Sequence, residues 1–458
     1  MLAISEILTA AKGRLTAGKT DIVFRGVTTD SREISRGDLF IALKGDNFDG
    51  HDYCLMALEK GAAAVLVQRD VASLPPDAVV IRVEDTLAAY QQIARYYRRS
   101  LGKLKVVAVT GSNGKTTTKD LIAALLAATY KVAKTEANYN NEVGLPKTLL
   151  ALTAETEVAV VEMGMRGLGQ IRALRQIAEP DFAVITNVGA THMELLGSME
   201  NIARAKGELL EDLDESKVAF LNSDDEYVRK MPTKAVKLTY GMKEDADIRA
   251  FSIVTSGQGT TFMYRSKLTG AEQEIKMPLI GHHNVMNALG AIGVAEKMGV
   301  TPKKIAEALL GVKITAKRQE ISEQGDITVI NDAYNASPAS MEAALRTLAE
   351  VKKAKEAGRS IAVLADMLEL GRQAETAHRE IGVFAARQGT DLVLAYGDQC
   401  RFLVEAALEA GVDAIHCGGI EEAAAELKKH LGSKDTVLFK GSHSMCADKV
   451  MELVFHNK

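Results

Sequence analysis

The sequence predicts an α/β protein of three domains, and three observations support this prediction. Apolar runs of strand length alternate along the chain with amphipathic runs of helix length. Glycine is frequent, with 37 residues, whereas proline is sparse, with 8. At roughly 150 residues per domain, a chain of this length has room for about three domains that each bury a core. Continuous apolar strands separated by helices are typical of parallel sheets covered on both faces.

The composition of the 458 residues excludes several classes of protein. Hydrophobic residues make up 47% and charged residues 25%, which is ordinary for a globular chain and unlike a disordered one. The 56 Lys and Arg against 60 Asp and Glu give a net charge of −4, which argues against a general nucleic-acid binder. A local basic pocket for a small anion is still compatible with this balance. Tryptophan is absent and aromatic residues total 5%, so a base-stacking platform is not expected.

The cysteines and the apolar runs bear on the compartment. Cys54, Cys400, Cys417 and Cys446 show no CxxC spacing and no accompanying histidine cluster, so we expect reduced, mostly buried thiols rather than a zinc site or a disulfide framework. No apolar run approaches the ~18 residues of a membrane span. The N-terminal apolar stretch is too short and too mixed for a signal peptide. We therefore expect a soluble, cytoplasmic protein without membrane insertion.

Individual elements can be assigned from short apolar runs. The strongest strand is LKVVAVT, which precedes a glycine-rich turn and the helix-like TTKDLIAALLAATY. The stretch SMENIARAKGELLEDL also reads as a helix. The predicted strands, in chain order, are residues 63–68, 79–83, 104–110, 158–164, 182–188, 360–367, 392–397 and 436–442.

Two breaks divide the chain into the predicted domains. A charged, glycine-containing segment at 98–104 precedes the strongest strand, and a second break lies near 311–320, between a helix and a new run of strands. No internal repeat or low-complexity segment interrupts this order. We predict a smaller N-terminal α/β domain (1–102), a central domain with a P-loop-type parallel sheet (103–313) and a C-terminal Rossmann-like α/β domain (314–458).

A phosphate-binding loop is the most informative segment of the central domain. Strand, glycine loop and helix in succession direct backbone N–H groups and the positive helix end towards a phosphate. In this reading Lys115 reaches the β- and γ-phosphates and the Thr116 hydroxyl binds Mg²⁺. The first glycine is Gly111, whereas the general pattern would place it at position 109, so this is a variant of that loop. The alternative is a glycine-rich turn that binds nothing.

Two further side chains are candidate metal ligands. Glu162 ends one predicted strand, and His192 follows the next in the loop NVGATHMELLG. Carboxylate and imidazole suit a metal bound to a nucleotide, and the carboxyl ends of parallel strands share one edge of a sheet. The alternatives are a solvated strand end for Glu162 and an ordinary loop histidine for His192.

Three other residues have less specific interpretations. Lys206 lies on a predicted helix, where an exposed lysine is the ordinary reading. Asn284 and Asn287 are three residues apart and therefore share one helix face. Two amides on one face suit recognition of a purine or ribose, but they suit helix capping or water binding equally well.

Several motifs together resemble one known family, the ATP-dependent Mur ligases of peptidoglycan synthesis. The resemblance covers most of the chain. Residues 28–53 look like the UDP-sugar-binding domain of that family, and the C-terminal motifs resemble the member that adds a terminal dipeptide. The matching segments are residues 110–117, 138–146, 160–164, 186–198, 200–209, 281–293, 331–345, 364–371 and 437–445.

The resemblance implies a specific activity. It implies ATP-dependent addition of D-alanyl-D-alanine to UDP-N-acetylmuramoyl-tripeptide through an acyl phosphate, with ATP and Mg²⁺ as cofactors. It further implies a cytoplasmic monomer whose partners are these two substrates, and whose domains close on binding them. Transfer of the phosphoryl group needs charge neutralisation and positioning more than covalent help.

The resemblance also assigns roles residue by residue. Lys115, Glu162, His192 and Lys206 correspond to catalytic residues, and the lysine that matches Lys206 is carbamylated in related ligases. The implied metal ligands are Thr116, Glu162, His192 and, if carbamylated, Lys206. The implied ATP-binding residues are Gly111, Ser112, Asn113, Gly114, Lys115, Thr116, Thr117, Asn284, Asn287 and Arg318. The implied substrate-binding residues are Ser31, Arg32, Lys44, His51, Asn138, Asn140, Asn141, Asp332, Tyr334 and Asn335.

One departure and two rival functions accompany this assignment. The family segment KGSRSM reads KGSHSM here, so His443 stands in place of arginine, which shortens the reach and makes the charge pH-dependent. One rival is a sister ligase that adds lysine or diaminopimelate, or a folylpolyglutamate synthetase; the UDP-domain match and the NASP segment disfavour these. The other rival is a nucleotide-dependent switch protein, which would need no acceptor amine and no sugar-nucleotide domain.

Overall fold

The computed structural model describes residues 2–355 and 358–455. The chain forms two compact units. The first contains Met1–Ala108, Tyr130–Gly164 and Gln170–Asp181; the second contains Val109–Thr129, Met165–Gly169 and Phe182–Lys458. These units confirm the α/β class, while the bounds of the three predicted domains stay a prediction.

The strands account for most of the buried apolar runs seen in the sequence. In chain order they are β1 (Leu2–Ala3), β2 (Arg14–Ala17), β3 (Val23–Phe24), β4 (Val27–Thr28), β5 (Leu39–Ile41), β6 (Ala64–Val67), β7 (Val80–Arg82), β8 (Lys105–Thr110), β9 (Val132–Lys134), β10 (Val158–Glu162), β11 (Phe182–Ile185), β12 (Val218–Asn222), β13 (Val236–Gly241), β14 (Ile248–Ser256), β15 (Gly259–Ser266), β16 (Glu272–Met277), β17 (Glu320–Gln324), β18 (Ile327–Asn331), β19 (Ser360–Ala365), β20 (Leu392–Tyr396), β21 (Asp413–Cys417) and β22 (Thr436–Lys440). All eight predicted strands are confirmed in this set.

The α-helices lie between these strands. They are α1 (Ile4–Ala11), α2 (Cys54–Glu59), α3 (Thr86–Ser100), α4 (Lys115–Ala127), α5 (Gly144–Leu150), α6 (Gln170–Ala178), α7 (Met193–Leu196), α8 (Met199–Gly207), α9 (Glu226–Arg229), α10 (His282–Lys297), α11 (Pro302–Leu310), α12 (Pro338–Lys353), α13 (Ala374–Arg387), α14 (Cys400–Glu409), α15 (Ile420–His430) and α16 (Ala447–Phe455). Among the described residues, none of these helices combines the length and apolarity that a membrane crossing requires.

The first unit is built on a five-stranded sheet. Its order is β2-β7-β6-β5-β4, with parallel pairing from β4 to β7 and antiparallel pairing between β2 and β7. Phe40, Val65 and Ala57 pack on one face of this sheet with α2. In the same unit, β9 and β10 pair in parallel, which fixes the strand end that carries Glu162.

Helix α3 organises the packing of the first unit. Asp85 caps it by accepting a hydrogen bond from the backbone N–H of Ala88 at 2.9 Å. Its buried residues recur with helical spacing and face the core, for example Tyr90, Ile93 and Tyr97. The Tyr97 hydroxyl satisfies its hydrogen-bonding need on the carbonyl of Leu152, at 2.7 Å.

The second unit contains the predicted central sheet. Its strands run in the order β16-β15-β14-β13-β12-β11, parallel from β11 to β14 and antiparallel from β14 to β16. Strand β8 divides between the units: its first residues belong to the first unit and Val109 and Thr110 belong to the second. Thr110 accepts a hydrogen bond from the N–H of Thr186 at 3.0 Å, which places the end of β8 beside the end of β11.

A six-stranded sheet forms the C-terminal part of the second unit. Its order is β17-β18-β22-β19-β20-β21, and every pair is parallel except β17 with β18. Along β19, Ile361 and Val363 pack in one apolar cluster, whereas Ala362 and Leu364 pack in another. Because successive side chains point to opposite faces, the sheet is covered by helices on both sides.

The four cysteines are free thiols. Cys54, Cys400 and Cys417 are buried, and Cys446 is half-buried, which agrees with the expectation of reduced and mostly buried thiols. Burial raises the pKa of Cys54 to about 12 and that of Cys417 to about 11. These two thiols are therefore protonated and unreactive at neutral pH.

One buried cluster has the composition of a metal site. Asp366, His378 and Cys400 place their ligand atoms within 4.8 Å of one another. However, His378 Nδ1 donates to the carbonyl of Ala374 at 2.7 Å, and its Nε2 accepts from the N–H of Met367 at 3.1 Å. Asp366 accepts from the N–H of Cys400 at 2.8 Å. These hydrogen bonds explain the cluster as structural support for the start of α14.

Glu179 gives the first unit a defined acid sensitivity. Arg95 donates two hydrogen bonds to Glu179 Oε1, at 3.0 and 2.7 Å, and Arg99 donates to Oε2 at 2.8 Å. Burial alone would raise the pKa of Glu179, but the hydrogen bonds and charges of the two arginines outweigh it and lower this pKa to about 2. A lowered carboxyl pKa stabilises the fold above the unfolded-state pKa and loses this effect as the pH falls through the folded value.

We predict that Glu179→Gln lowers the free energy of unfolding at pH 7 by about 1 kcal/mol, a value already reduced for partial exposure. The loss should shrink as the pH falls from about 4 towards 2, because wild-type Glu179 then becomes protonated. Urea unfolding at pH 7 and pH 3, followed by circular dichroism, measures the loss of unfolding free energy at each pH. Glu155→Gln, which removes a fully exposed ion pair, is the control and should change little. An equal loss for Glu179→Gln at both pH values would contradict this account.

Candidate functional site

The predicted phosphate loop connects β8 to α4, and two glycines shape it. Gly111 has φ +152°, and a Cβ there would lie 1.8 Å from Thr186 Oγ1. Gly114 has φ +79°, and a Cβ there would lie 2.3 Å from Asn287 Oδ1. Both positions therefore exclude a side chain, through close contact as well as through backbone conformation. The loop closes tightly enough for α4 to begin at Lys115.

The loop that follows β11 supports the phosphate loop from one side. The backbone N–H of Ser112 donates to the Asn187 carbonyl at 2.9 Å, and that of Asn113 donates to Asn187 Oδ1 at 2.9 Å. The Thr186 hydroxyl donates to the Asn113 carbonyl at 2.6 Å. Sequence reasoning did not single out Thr186 and Asn187, although both lie in the motif TNVGATHMELLGS.

The side chains at the start of α4 suit an anion. Lys115 Nζ donates to the carbonyls of Gly111 and Ser112, at 2.9 and 3.2 Å, and so lies over the loop. Thr116 and Thr117 are buried in the first turn of the helix. A helix N-terminus with a lysine above it is a phosphate-binding arrangement.

His192 lies in the same unit as the phosphate loop. It adopts the left-handed conformation, with φ 56°, immediately before α7. Its Nδ1 is 2.5 Å from Glu369 Oε2. Burial lowers the pKa of His192; Glu369 opposes this effect, while Lys115 and Lys206 reinforce it. The imidazole is therefore held neutral, the form that binds a metal ion.

Lys206 occupies the last turn of α8 and is not the exposed lysine of the ordinary reading. Its exposed fraction is 2%. Burial lowers the pKa of Lys206 well below its usual value, and the positive charge of Lys115 adds to this shift. The amine is thus driven towards its neutral form.

Glu162 and the three asparagines predicted to bind substrate, Asn138, Asn140 and Asn141, lie in the first unit. Glu162 is 3% exposed at the end of β10, and its Oε1 accepts a hydrogen bond from Asn140 Nδ2 at 2.7 Å. Asn141 Oδ1 accepts from the N–H of Gly144 at 2.8 Å and so supports the start of α5. Asn138 is exposed. Two of the predicted groups, Glu162 and Asn140, are thus in direct contact.

The DSR motif forms a compact turn in the first unit. Arg32 Nε and Nη2 donate to the two carboxylate oxygens of Asp30, at 2.9 and 2.6 Å. This hydrogen bonding lowers the pKa of Asp30 to about 2. The carbonyl of Ser31 accepts from Lys60 Nζ at 3.0 Å. The guanidinium of Arg32 is exposed, so it can reach an anionic ligand.

Lys44 and His51 lie on one further loop of the first unit, in different environments. Lys44 is exposed and forms an isolated bridge with Asp49. His51 is 1% exposed; its Nδ1 is 2.5 Å from Asp49 Oδ1, and its Nε2 accepts from the N–H of Gln68 at 3.0 Å. His51 holds the loop in place, and a substrate contact would require one of these hydrogen bonds to break.

Asn284 and Asn287 are buried in a chain of side-chain hydrogen bonds. Thr118 donates to Asn287 Oδ1 at 3.2 Å, and Asn287 Nδ2 donates to Asn284 Oδ1 at 3.2 Å. Asn284 Nδ2 donates to Gln319 Oε1 at 2.8 Å and to the Ile280 carbonyl at 2.9 Å. Both amides are therefore engaged within the protein, and their predicted contact with adenine or ribose stays a prediction.

Asp332 forms a junction that connects the C-terminal sheet to the segment at the second predicted break, residues 311–320, which we call the linker. Its Oδ2 accepts from Lys440 Nζ at 2.6 Å, and its Oδ1 accepts from the N–H of Gln319 at 3.1 Å. Lys440 also donates to the Asn335 carbonyl at 3.0 Å. Lys440 is 2% exposed, so this ion pair is buried. Lys440 lies in a segment that matches the family, residues 437–445, but the sequence alone predicted no role for this lysine.

Arg318, Tyr334 and His443 form a stacked cluster beside this junction. The guanidinium of Arg318 lies 4.0 Å from the centre of the Tyr334 ring. The His443 ring centre lies 5.6 Å from that of Tyr334, tilted by 46°. His443, which replaces the arginine of the family pattern, is therefore a ring neighbour of Tyr334, a residue predicted to bind substrate. The cluster offers the permanent positive charge of Arg318 beside two aromatic rings.

The predicted residues thus fall into groups. In the second unit, the phosphate loop, Asn284 and Asn287 are linked through Gln319 to the cluster of Arg318, Asp332 and Tyr334. In the first unit, Glu162 contacts Asn140, whereas the DSR turn and the Lys44 loop are separate features.

Family models match three consecutive stretches of the chain. The Mur ligase middle domain matches residues 109–295. The model described as Mur ligase, glutamate ligase domain matches 317–443, and the one described as Mur ligase family, catalytic domain matches 23–98.

Full-length relatives and solved structures agree with these models. The UDP-N-acetylmuramoyl-tripeptide–D-alanyl-D-alanine ligase of Bacillus subtilis is 40% identical over 453 residues, which cover 98% of this chain and 97% of the relative. The enzyme of that name from Escherichia coli is 33% identical, covering 99% and 98%. A crystal structure of MurF from Acinetobacter baumannii superposes with a TM-score of 0.91 at 28% identity, covering 99% of each chain. That of the Thermotoga maritima MurF ligase in complex with ADP gives 0.83 at 28% identity, covering 94% and 97%. The chain belongs to the Mur ligase family.

Proposed function

We propose that this protein is an ATP-dependent ligase that joins D-alanyl-D-alanine to UDP-N-acetylmuramoyl-tripeptide during the synthesis of peptidoglycan precursors. The observation that carries the proposal is similarity to dipeptide-adding ligases over 98% of the chain, including the C-terminal segments. The buried Asp332–Lys440 pair and the Arg318–Tyr334 stack support it, because they hold residues predicted to bind nucleotide and substrate close to one another. A cytoplasmic monomer is part of this proposal.

The phosphate loop prepares ATP for transfer of its γ-phosphoryl group. The start of α4 binds the phosphates, and Lys115 moves from the loop carbonyls to phosphate oxygens. The rigidity of the loop, set by Gly111 and Gly114, fixes the direction of transfer without further reorganisation. The acceleration of phosphoryl transfer comes from the orientation of the reacting groups and from the neutralisation of their charge.

Magnesium fits the donors that the chain provides. We infer that Thr116, Glu162 and His192 would be ligands of Mg²⁺, as would Lys206 if it is carbamylated. A hydroxyl, a carboxylate and an imidazole kept neutral by burial are suitable donors. Bound Mg²⁺ supplies neutralisation of the phosphate charge.

The proposed reaction has two steps. A terminal carboxylate oxygen of the tripeptide attacks the γ-phosphorus, the bond to ADP breaks, and an acyl phosphate forms. The free amine of D-alanyl-D-alanine then attacks the carbonyl carbon, and the tetrahedral intermediate expels inorganic phosphate and loses a proton. The role of the protein in both steps is to hold three substrates in line and exclude water.

The site geometry also supports carbamylation of Lys206. A neutral amine adds to CO₂ to give a carbamate and one proton. Burial favours the neutral amine, and the positive charges of the metal ions favour the carbamate once it forms. This modification would turn a buried cation into an oxygen ligand.

The first experiment measures phosphate release from ATP with UDP-N-acetylmuramoyl-tripeptide, with and without D-alanyl-D-alanine, and with single free amino acids. We expect release only with both the nucleotide-peptide and the dipeptide, and a product heavier by that dipeptide. Release that follows a free amino acid would assign a sister activity. Release indifferent to every acceptor would favour a nucleotide-dependent switch protein.

We predict that Lys115→Met lowers kcat at least about 100-fold, because the transferring phosphoryl group loses its fixed positive charge. The matched control is Lys103→Met, which removes an exposed lysine outside the loop. The control should keep wild-type turnover, and both variants should keep the wild-type circular dichroism spectrum. Normal turnover of Lys115→Met would refute the site assignment.

We predict that protein equilibrated with ¹³C-bicarbonate shows one carbamate carbonyl signal by NMR, and that Lys206→Arg lacks it. Arginine has a long basic side chain like that of lysine but does not form this adduct. The turnover of Lys206→Arg should fall at least about tenfold, in line with the loss of a metal ligand. A carbamate signal that persists in Lys206→Arg would assign the modification to another lysine.

A further inference from the structure

The phosphate loop is contacted by a residue from far along the chain. Ser337 Oγ donates a hydrogen bond to Asn113 Oδ1 at 2.8 Å, across 224 positions of sequence. Ser337 is only 5% exposed, so water competes little for this hydrogen bond. Asn113 lies in the middle of the loop, and Ser337 lies immediately before α12 in the C-terminal part of the second unit.

This contact holds the side-chain oxygen of Asn113, whereas other residues hold its backbone. Its backbone N–H and carbonyl are bound by Asn187 and Thr186, as described above. Its side-chain oxygen is bound by Ser337. The conformation of the phosphate loop therefore depends partly on where α12 begins.

Because Ser337 is the residue at which α12 begins, a shift of this helix would also shift the hydroxyl that contacts Asn113. Ser337 has φ −148° and precedes Pro338, whose ring favours the first helical turn, so α12 starts at a defined residue. The N–H of Ser337 donates to Ser340 Oγ at 2.9 Å, and Ser340 Oγ donates back to the Ser337 carbonyl at 3.0 Å. Ser337 Oγ also contacts Ser340 Oγ at 3.2 Å, so the two serines cap the helix together, and the Ser337 hydroxyl serves both the cap and Asn113.

A second, independent line of hydrogen bonds ends on the same helix. It runs from Thr118 in α4 through Asn287 and Asn284 to Gln319. Gln319 Nε2 then donates to Thr347 Oγ1 at 2.9 Å, in the third turn of α12. Helix α12 is therefore connected to the phosphate loop at its start, through Ser337, and to helix α4 near its middle, through Thr347.

We propose that Ser337 is a positioning residue that couples the placement of α12 to the phosphate loop, so that nucleotide binds tightly only when α12 is docked against the loop. The inference rests on the proposed function for its role in ligation, because α12 follows the segment that carries Asp332, Tyr334 and Asn335. It makes the C-terminal part of the second unit a contributor to nucleotide affinity through a neutral side-chain hydrogen bond.

The test compares Ser337→Ala with Ser340→Ala in the full-length protein. Both remove a hydroxyl from the cap of α12, but only the first removes the contact with Asn113. We expect Ser337→Ala to raise the Kd for ADP in the presence of Mg²⁺, measured by calorimetry, and the KM for ATP about three- to tenfold, the effect of one lost neutral hydrogen bond. Ser340→Ala should change either value less than about twofold. Ser337→Thr, which keeps a hydroxyl, should restore wild-type affinity.

A double-mutant cycle separates coupling from loss of helix capping. In the Asn113→Ala background, Ser337→Ala should raise the ADP Kd by less than about twofold, because the partner is already absent. If Ser337→Ala does not fold, Ser337→Gly replaces it, since glycine caps a helix with little loss of stability. Equal effects of Ser337→Ala and Ser340→Ala, or full additivity with Asn113→Ala, would overturn the proposal. The ADP measurement needs no acceptor, so it stands even if the dipeptide-adding function fails.

Discussion

The close contact between the phosphate loop and the strand beside it is the constraint on which the rest of the second unit depends. Gly111 lies so near Thr186 that a methyl group would overlap the hydroxyl, and a methyl group at Gly114 would overlap the side chain of Asn287. The loop is consequently set by two neighbouring elements before any ligand arrives. A site formed in advance avoids the cost of reorganisation during phosphoryl transfer. The placement of Lys115 follows from this rigid base.

Local features of the sequence predicted much of this arrangement. The strands β8, β10 and β11 are continuous apolar runs, and the glycine loop lies directly between β8 and α4, so their signals involve neighbours in sequence. The positions of Glu162 and His192 at or after strand ends followed from the same reasoning. Fold class and loop are therefore properties that a short window of residues can carry.

Features that depend on distant residues were not predicted. Asn187 binds the loop through its side chain and its backbone, and nothing in its own neighbourhood indicates this. The burial of Lys206 is likewise set by tertiary packing, because a lysine near the end of an amphipathic helix is ordinarily exposed. Asn284 and Asn287 were correctly placed on one face, but whether an amide there reads a base or bonds another amide depends on Gln319, which arrives from the linker.

The most direct test of the account follows the carboxylate oxygen itself. UDP-N-acetylmuramoyl-tripeptide labelled with ¹⁸O in both oxygens of the terminal carboxylate is converted with ATP and D-alanyl-D-alanine, and the released phosphate is analysed by mass spectrometry. Formation of an acyl phosphate transfers one labelled oxygen to phosphorus, so the account predicts one ¹⁸O in each phosphate released during ligation. Phosphate that carries no label would contradict it, since ATP would then have been cleaved without activating the acid.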